Sequence, residues 1–203
     1  MDQLTAALTR LRVDLDATGV AWALIGGLAV SVRAEPRTTR DVDVAVATAD
    51  DDGAEALVRR LFDRGYRLVG HLERTDRARL AAVRLTPPHS DVLGIVVDLL
   101  FASSGIEAEI ARTAEVLEIV PGLRVPVATT GYLIALKVLA SAPDRPQDLG
   151  DARSLLLRAP SSEIRRAKDA IDLIVRRGFE RGKDLRSELE SLLEAAPSPD
   201  WRS

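Results

Sequence analysis

The stretch Asp41-Val42-Asp43-Val44-Ala45-Val46 begins with two aspartates that are separated by a single valine. Because successive side chains of a β-strand point to opposite faces, a strand here carries both carboxylates on one face and the three valines on the other. The valine face can pack into a hydrophobic core, which predicts that this segment belongs to a sheet. The carboxylate face needs a partner of opposite charge.

Two carboxylates at this spacing in a strand lie about 6–7 Å apart and repel each other unless a cation offsets their charge. A divalent metal meets that need, since Mg²⁺ prefers one or two carboxylates together with phosphate oxygens and water. The alternative is an exposed edge strand whose two acids are solvated. The spacing alone leaves both interpretations open, because two acids one residue apart are an unspecific motif.

The composition of the 203-residue chain narrows the kinds of site that it can hold. Cysteine is absent, which excludes disulfides, thiolate zinc sites and a cysteine nucleophile, and two histidines argue against a histidine-rich metal site. The net charge of −3 gives no overall attraction to nucleic acid. The N-terminus does not have the pattern of a signal peptide, and no apolar stretch approaches membrane-spanning length. We therefore expect a cytoplasmic protein that does not associate with membranes.

The pattern of apolar residues changes along the chain. Helical periodicity at residues 2–18 is followed by predicted strands and helices in mixed order, and beyond Pro121 only leucine-rich helical patterns remain. This order is typical of an α+β fold, with a mixed-sheet core at residues 1–125 and a C-terminal helical bundle at residues 126–203. The predicted strands are residues 20–25, 41–47, 66–71, 80–85 and 92–102. After the first predicted helix at residues 2–18, the predicted helices are 28–34, 52–64, 129–140, 146–159, 162–177 and 183–195.

Gly26 and Gly27 lie between a predicted strand and a predicted helix. At such a position, bare backbone amides and the positive end of a helix can meet a phosphate. A glycine pair is also common in ordinary turns, so the pair by itself is weak support for a phosphate site.

Asp98 lies in the apolar segment 95–101, which is long enough to form a central strand. An unpaired carboxylate would cost several kcal/mol in such a position, so the fold must supply a partner. That partner is either one of the chain's many arginines or a metal ion that Asp98 shares with Asp41 and Asp43.

Lys137, one of only three lysines, lies in the apolar segment 132–140. It is either a lysine that reaches from a packed helix to water, or a compact cation that binds a triphosphate. Arg145, Asp148 and Asp151 follow it, and the two acids share one face of the next predicted helix. Asp148 would also suit the first turn of that helix through the helix dipole alone.

These features together resemble the nucleotidyltransferase superfamily that includes DNA polymerase β. Its members carry a glycine pair after a strand, then two acids one residue apart, then a third carboxylate on a neighbouring strand. The matching residues in this chain are Gly26, Gly27, Asp41, Asp43 and Asp98. Gly27 departs from the wider superfamily, where many members have serine.

Two further segments resemble a narrower group, the AbiEii-type toxins, and most closely the mycobacterial MenT toxins. These segments are residues 37–40, Arg-Thr-Thr-Arg, and the series Lys137, Arg145, Asp148 and Asp151. The resemblance covers residues 20–155. It implies transfer of NMP from an NTP to the 3′ acceptor end of tRNA, with release of pyrophosphate and a block of translation. A cognate antitoxin is then expected to control the enzyme.

The resemblance also implies roles for individual residues. Asp41, Asp43 and Asp98 would hold Mg²⁺, or Mn²⁺ in its place, and Asp98 would serve the attacking hydroxyl as metal ligand or base. The implied catalytic residues are Asp41, Asp43, Asp98, Lys137 and Asp151, with Asp148 as the weaker choice for the last acid. The implied nucleotide-binding residues are Gly26, Gly27, Thr39, Lys137 and Arg145.

Thr39 precedes Asp41 by two residues, so on an extended chain it shares the carboxylate face. It is either an ordinary loop threonine or, as the resemblance suggests, a substrate contact and a phosphoacceptor through which the antitoxin silences the enzyme. A phosphate there adds about −1.5 to −2 charges beside the acids.

Two alternatives to the tRNA substrate stay open. A nucleotidyltransferase with these residues could modify an aminoglycoside-like small molecule, or it could AMPylate a partner protein such as the antitoxin. A degenerate member that only binds nucleotide is disfavoured, because Asp41, Asp43, Asp98 and Lys137 are all present.

Overall fold

The computed structural model describes residues 3–36, 38–39, 41–74, 79–88 and 95–195. Within these ranges the chain forms a seven-stranded sheet and eight helices. The strands are β1 Trp22–Ile25, β2 Asp41–Val46, β3 Arg67–Arg74, β4 Arg79–Thr86, β5 Val96–Leu100, β6 Glu115–Val120 and β7 Leu123–Val127. The helices are α1 Gln3–Asp16, α2 Gly26–Arg33, α3 Asp51–Asp63, α4 Glu107–Arg112, α5 Thr130–Ala140, α6 Pro146–Leu156, α7 Ser161–Arg176 and α8 Leu185–Ala195.

The sheet has the order β3-β4-β5-β2-β1-β7-β6. Two pairs, β2–β5 and β1–β7, are parallel, and the other four pairs are antiparallel. The strand that carries Asp41 and Asp43 is the fourth of seven, so it is a central strand and not an edge strand. The predicted combination of a mixed sheet with C-terminal helices is confirmed.

The chain divides into two compact units. The first contains the whole sheet and comprises Met1–Leu28, Arg37–Ser103 and Glu107–Ala128. The second comprises Ala29–Pro36, Ser104–Ile106 and Thr129–Ser203, and it contains α5 to α8. The sequence predicts a division between residues 125 and 126, and it does not predict that two short earlier segments join the helical unit.

The core of the first unit lies on the valine face of its central strands. All four residues of β1 are buried, and Val42, Val44, Val97 and Leu99 are fully enclosed. Helix α1, which the helical periodicity of residues 2–18 predicts, contributes Leu8, Leu11 and Leu15 to the core. This packing leaves the opposite face of β2 and β5 for polar side chains.

The β6–β7 hairpin and the short helix α4 are elements that the sequence does not predict. The hairpin turns at Pro121 and Gly122, and Gly122 has φ +83, which glycine adopts without strain. A Pro-Gly pair between two apolar runs is a turn signal. The sequence predicts only helices beyond Pro121, and β7 shows that expectation to be wrong.

The second unit is built around α5, which contacts α6, α7 and α8. Its close approach to α7 depends on Gly131, because a Cβ atom there would lie 2.5 Å from the carbonyl oxygen of Glu163 and 2.8 Å from Cβ of Arg166. No helix within the described ranges is long and apolar enough to cross a membrane.

We predict that Gly131→Ala lowers the free energy of unfolding by about 1–3 kcal/mol, the usual cost of overpacking. Gly150→Ala is the matched control, since Gly150 is exposed in α6 and has open space where the methyl group would go. That change should raise stability by up to about 1 kcal/mol through helix propensity. Urea denaturation followed by circular dichroism measures both, and an equal gain in both variants would contradict the close α5–α7 contact.

Candidate active site

The register of β2 and β5 brings the predicted acids together. Asp43 is the direct Cα partner of Asp98 on the parallel strand β5, and Asp41 pairs with Val96 two residues earlier on each strand. Burial alternates along β5 and along the first four residues of β2, with the three acids partly buried and Val42, Val44 and Val97 enclosed, while Ala45 and Val46 at the end of β2 are both buried. The predicted alternation of β2 is therefore confirmed, and the three carboxylates lie on one face of two neighbouring strands.

Gly26 lies directly against this face. It begins α2, two residues earlier than the sequence predicts, and Ile25 before it is the register partner of Asp43. A Cβ atom on Gly26 would lie 1.9 Å from Oδ2 of Asp43, and the residue has φ +64. Both its backbone conformation and the space beside it therefore require glycine. Gly27, which is buried, follows in the same first turn.

Arg84 on β4 is the partner of Asp98. The two residues are register neighbours, and Arg84 donates from Nε to Oδ1 at 2.8 Å and from a terminal nitrogen to Oδ2 at 2.6 Å. The hydrogen bonds with Asp98 raise the pKa of Arg84 against the effect of desolvation, and the charges of Asp98, Asp41 and Asp43 add to that rise. Of the two partners that the sequence allowed for Asp98, the structure contains the arginine.

The charges and the oxygen donors of the carboxylate face suit a divalent cation. Among the described side chains of this face, three carboxylates and one guanidinium sum to a formal charge of −2, which one divalent cation would balance. Asp41 and Asp43 supply hard oxygen donors, and they suit Mg²⁺ or Mn²⁺ in a shell completed by phosphate oxygens and water. Within the described ranges, no three histidine, aspartate or glutamate side chains are arranged as a complete metal-binding group.

Thr39 lies at the entry to β2. Its Oγ1 atom is 3.4 Å from both the backbone nitrogen and the backbone oxygen of Asp41, and the residue is half-buried. Thr39 is thus close to the carboxylate face in the first unit. Arg37 and Arg40, which contribute to the resemblance, lie outside the described residues.

The later predicted residues form a compact ion-pair cluster in the second unit. Lys137 Nζ donates to Asp148 Oδ1 at 2.8 Å and lies 2.8 Å from Asp151 Oδ2. Arg145 Nε lies 2.8 Å from the other oxygen of Asp148. Lys137, Asp148 and Asp151 have side chains that are 10%, 1% and 8% exposed. Lys137 therefore does not reach out to water, and Asp148 contributes to the cluster as closely as Asp151 does.

The predicted site residues thus form two groups, one in each compact unit. The first unit holds Gly26, Gly27, Thr39, Asp41, Asp43 and Asp98, and the second holds Lys137, Arg145 and Asp151. Arg84 is a residue of the carboxylate face that the sequence alone does not single out. The alternation of apolar and polar residues in β4 indicates that Arg84 lies on the polar face of a strand. Its pairing with Asp98 follows only from the β4–β5 register.

A family model described as nucleotidyl transferase AbiEii toxin of type IV toxin–antitoxin systems matches residues 8–203. No curated protein matches the chain. The match extends over both units and includes every site residue discussed above.

The chain is also similar to solved structures. An antigenic nucleotidyltransferase-like protein from Paracoccidioides brasiliensis has a TM-score of 0.54 at 18% identity, over 98% of this chain and 95% of that protein. The antibiotic-resistance factor ANT(2″)-Ia has a TM-score of 0.48 at 18% identity, over 96% of each chain. At these identities the likeness to the first protein shows a shared nucleotidyltransferase-like fold.

We predict that Gly26→Ala is more destabilising than an ordinary glycine substitution at positive φ. Gly19→Ala is the control, because Gly19 has φ +72 but open space around it, so this variant carries only backbone strain of about 1 kcal/mol. Gly26→Ala adds the clash with Asp43 and should cost about 1–3 kcal/mol more. Thermal and urea denaturation measure the difference. Equal losses in the two variants would contradict the contact between Gly26 and Asp43.

We also predict that Lys137→Met lowers the free energy of unfolding by about 3–5 kcal/mol, because it removes the ammonium group that pairs with two buried carboxylates, of which only Asp148 is also paired with Arg145 in the contacts above. Lys168→Met is the control, since Lys168 pairs with Glu190 at 2.8 Å on an exposed surface. That pair should contribute about 0–1 kcal/mol. Asp151→Asn in the Lys137→Met background should recover part of the loss, and a loss no larger than that of the control would contradict the buried cluster.

Proposed function

The chain belongs to the family of nucleotidyl transferase AbiEii toxins of type IV toxin–antitoxin systems, and from that premise we propose that it transfers an NMP from an NTP to the 3′ acceptor end of tRNA. Family and fold make the protein a nucleotidyltransferase. The choice of tRNA, and a block of translation as its consequence, rests on the resemblance of residues 37–40 and 137–151 to the MenT toxins. We place the reaction in the cytoplasm.

The reaction requires one bond to form and one to break at the α-phosphorus of the NTP. The oxygen of the 3′-hydroxyl attacks that phosphorus, the bond to the β-phosphate oxygen breaks, and pyrophosphate leaves. The hydroxyl proton must pass to an acceptor, and we assign that role to the carboxylate of Asp98. Positioning and charge neutralisation supply most of the catalysis in phosphoryl transfer of this kind.

The observation that carries this proposal is the row of acids on β2 and β5 with Gly26 packed against it. Asp41 and Asp43 would hold Mg²⁺, or Mn²⁺ in its place, and Asp98 is their nearest neighbour across the strands. The bound ion supplies charge neutralisation for the phosphates and lowers the pKa of the attacking hydroxyl. The backbone amides of Gly26 and Gly27, at the start of α2, would orient the phosphate oxygens.

We extend the proposal to Lys137, Arg145 and Asp151 on the strength of the resemblance. Lys137 and Arg145 would neutralise negative charge on the triphosphate, and Asp151 would serve as the late acid of the family. Within the second unit, Asp148 and Asp151 fix the position of the Lys137 ammonium group through the contacts described above. Such fixed side chains are a requirement for precise binding of phosphates.

A cognate antitoxin is the expected partner of a toxin from this family. We propose that Thr39 is the residue through which it acts, as a phosphoacceptor and as a substrate contact. Thr39 Oγ1 lies close to the backbone of Asp41. A phosphate there would add about −1.5 to −2 charges beside a face that is already negative, and it would compete with the triphosphate for the same cation.

The proposal predicts that label from an α-³²P NTP appears on tRNA in the presence of Mg²⁺. Asp41→Ala and Asp43→Ala should each reduce the initial rate by about a hundredfold or more, because each removes a metal ligand. Asp63→Ala is the matched control, since Asp63 is an exposed acid at the end of α3. Its rate should stay within about twofold of wild type.

The same assay distinguishes the alternatives when each NTP is tested with total tRNA, an aminoglycoside panel and cell protein. Label only on a small molecule or a protein would contradict the tRNA substrate while leaving nucleotidyl transfer intact. Expression of the wild-type protein should also arrest growth, and expression of Asp41→Ala should not. Growth arrest on expression of this variant would show that the toxicity does not depend on the carboxylate of Asp41.

A further inference from the structure

We propose that Arg84 competes with the divalent cation for Asp98 and thereby controls metal loading of the acidic face. This inference rests on the proposed function, because it concerns the same carboxylates. It adds a residue that neither the family match nor the resemblance assigns. Arg84 is a positioning residue in this account, since it acts through Asp98.

The position of Arg84 follows from strand register. Arg84 on β4 pairs with Asp98 on β5, and Asp98 pairs with Asp43 on β2, so the three side chains form a row across neighbouring strands. Adjacent strands are about 4.8 Å apart. The guanidinium group is therefore a fixed-register neighbour of the acids, and its place in the row does not depend on a loop.

The bonding pattern of Asp98 explains why the two cations compete. Arg84 engages both of its carboxylate oxygens in a bidentate pair. A divalent ion that takes Asp98 as a ligand must approach these same oxygens and also lie close to the guanidinium charge. A +2 and a +1 charge about 6 Å apart in water repel by an amount equivalent to about tenfold in affinity. Loading of Asp98 therefore requires that Arg84 move away or that the ion accept this repulsion.

Arg84 can move because its side chain is 48% exposed, whereas that of Asp98 is 16% exposed. A guanidinium binds phosphate in the same bidentate manner as carboxylate, so a phosphate group of the nucleotide or the RNA is the natural competitor that draws it from Asp98. Asp98 then becomes available as metal ligand and proton acceptor only when an anionic substrate is present. In the absence of substrate, Asp41 and Asp43 are left to bind the metal.

The test is a titration of the full-length protein with Mn²⁺ alone, in which electron paramagnetic resonance measures the free ion. Arg84→Gln should bind Mn²⁺ about tenfold more tightly than wild type. Arg124→Gln is the matched control, because it removes the same charge from an exposed position on β7, which β1 separates from β2. The control should stay within about twofold of wild type. Thermal melts establish that each variant is folded.

Arg84→Lys provides a second variant that keeps the charge but loses the bidentate geometry, and its affinity should fall between those of wild type and Arg84→Gln. Affinities of both Arg84 variants within about twofold of the Arg124→Gln control would overturn the inference, as would weaker binding by Arg84→Gln. Failure of the proposed metal site has a different signature. In that case Asp41→Ala binds Mn²⁺ as tightly as wild type, or no variant binds it, and both proposals are then wrong.

Discussion

Asp43 and Asp98 face each other as register partners on neighbouring parallel strands, and this juxtaposition of like charges is the constraint on which the site depends. With Asp41 on the same face, the repulsion must be offset by cations, since the opposite face is closed by valines in the core. Arg84 supplies one positive charge, and Gly26 leaves the space that the Asp43 carboxylate fills. Among the described side chains, Asp41, Asp43, Asp98 and Arg84 together carry a formal charge of −2, which supports the proposal that this face binds a divalent ion and a triphosphate.

Much of this face could be predicted from local sequence. The alternation in residues 41–46 has a period of two, so it identifies both the strand and its two faces. The apolar segment around Asp98 identifies a second strand in the same way. The pairing of Asp98 with Arg84 could not be predicted, because it depends on which strands are neighbours and in what register. Among so many arginines, sequence offers no means of choosing one.

The cluster around Lys137 shows a second kind of feature that could be predicted only in part from the sequence. The spacing of Asp148 and Asp151 predicts that they share a helix face, and the structure agrees. For Lys137 the sequence left two interpretations, exposure to water or contact with phosphate, and neither included an internal ion pair. The buried pairs mean that loss of Lys137 removes both a candidate phosphate contact and the cation that stabilises two buried acids. A loss of activity in such a variant therefore has to be separated from a loss of folding.

The central claim is that the carboxylate face of β2 is a metal site, and anomalous diffraction from crystals soaked in Mn²⁺ tests it most directly. The account predicts an anomalous peak within bonding distance of carboxylate oxygens from both Asp41 and Asp43, and its disappearance in Asp41→Ala. A wild-type map with no peak at these two residues, at a Mn²⁺ concentration that saturates the protein in solution, would contradict it.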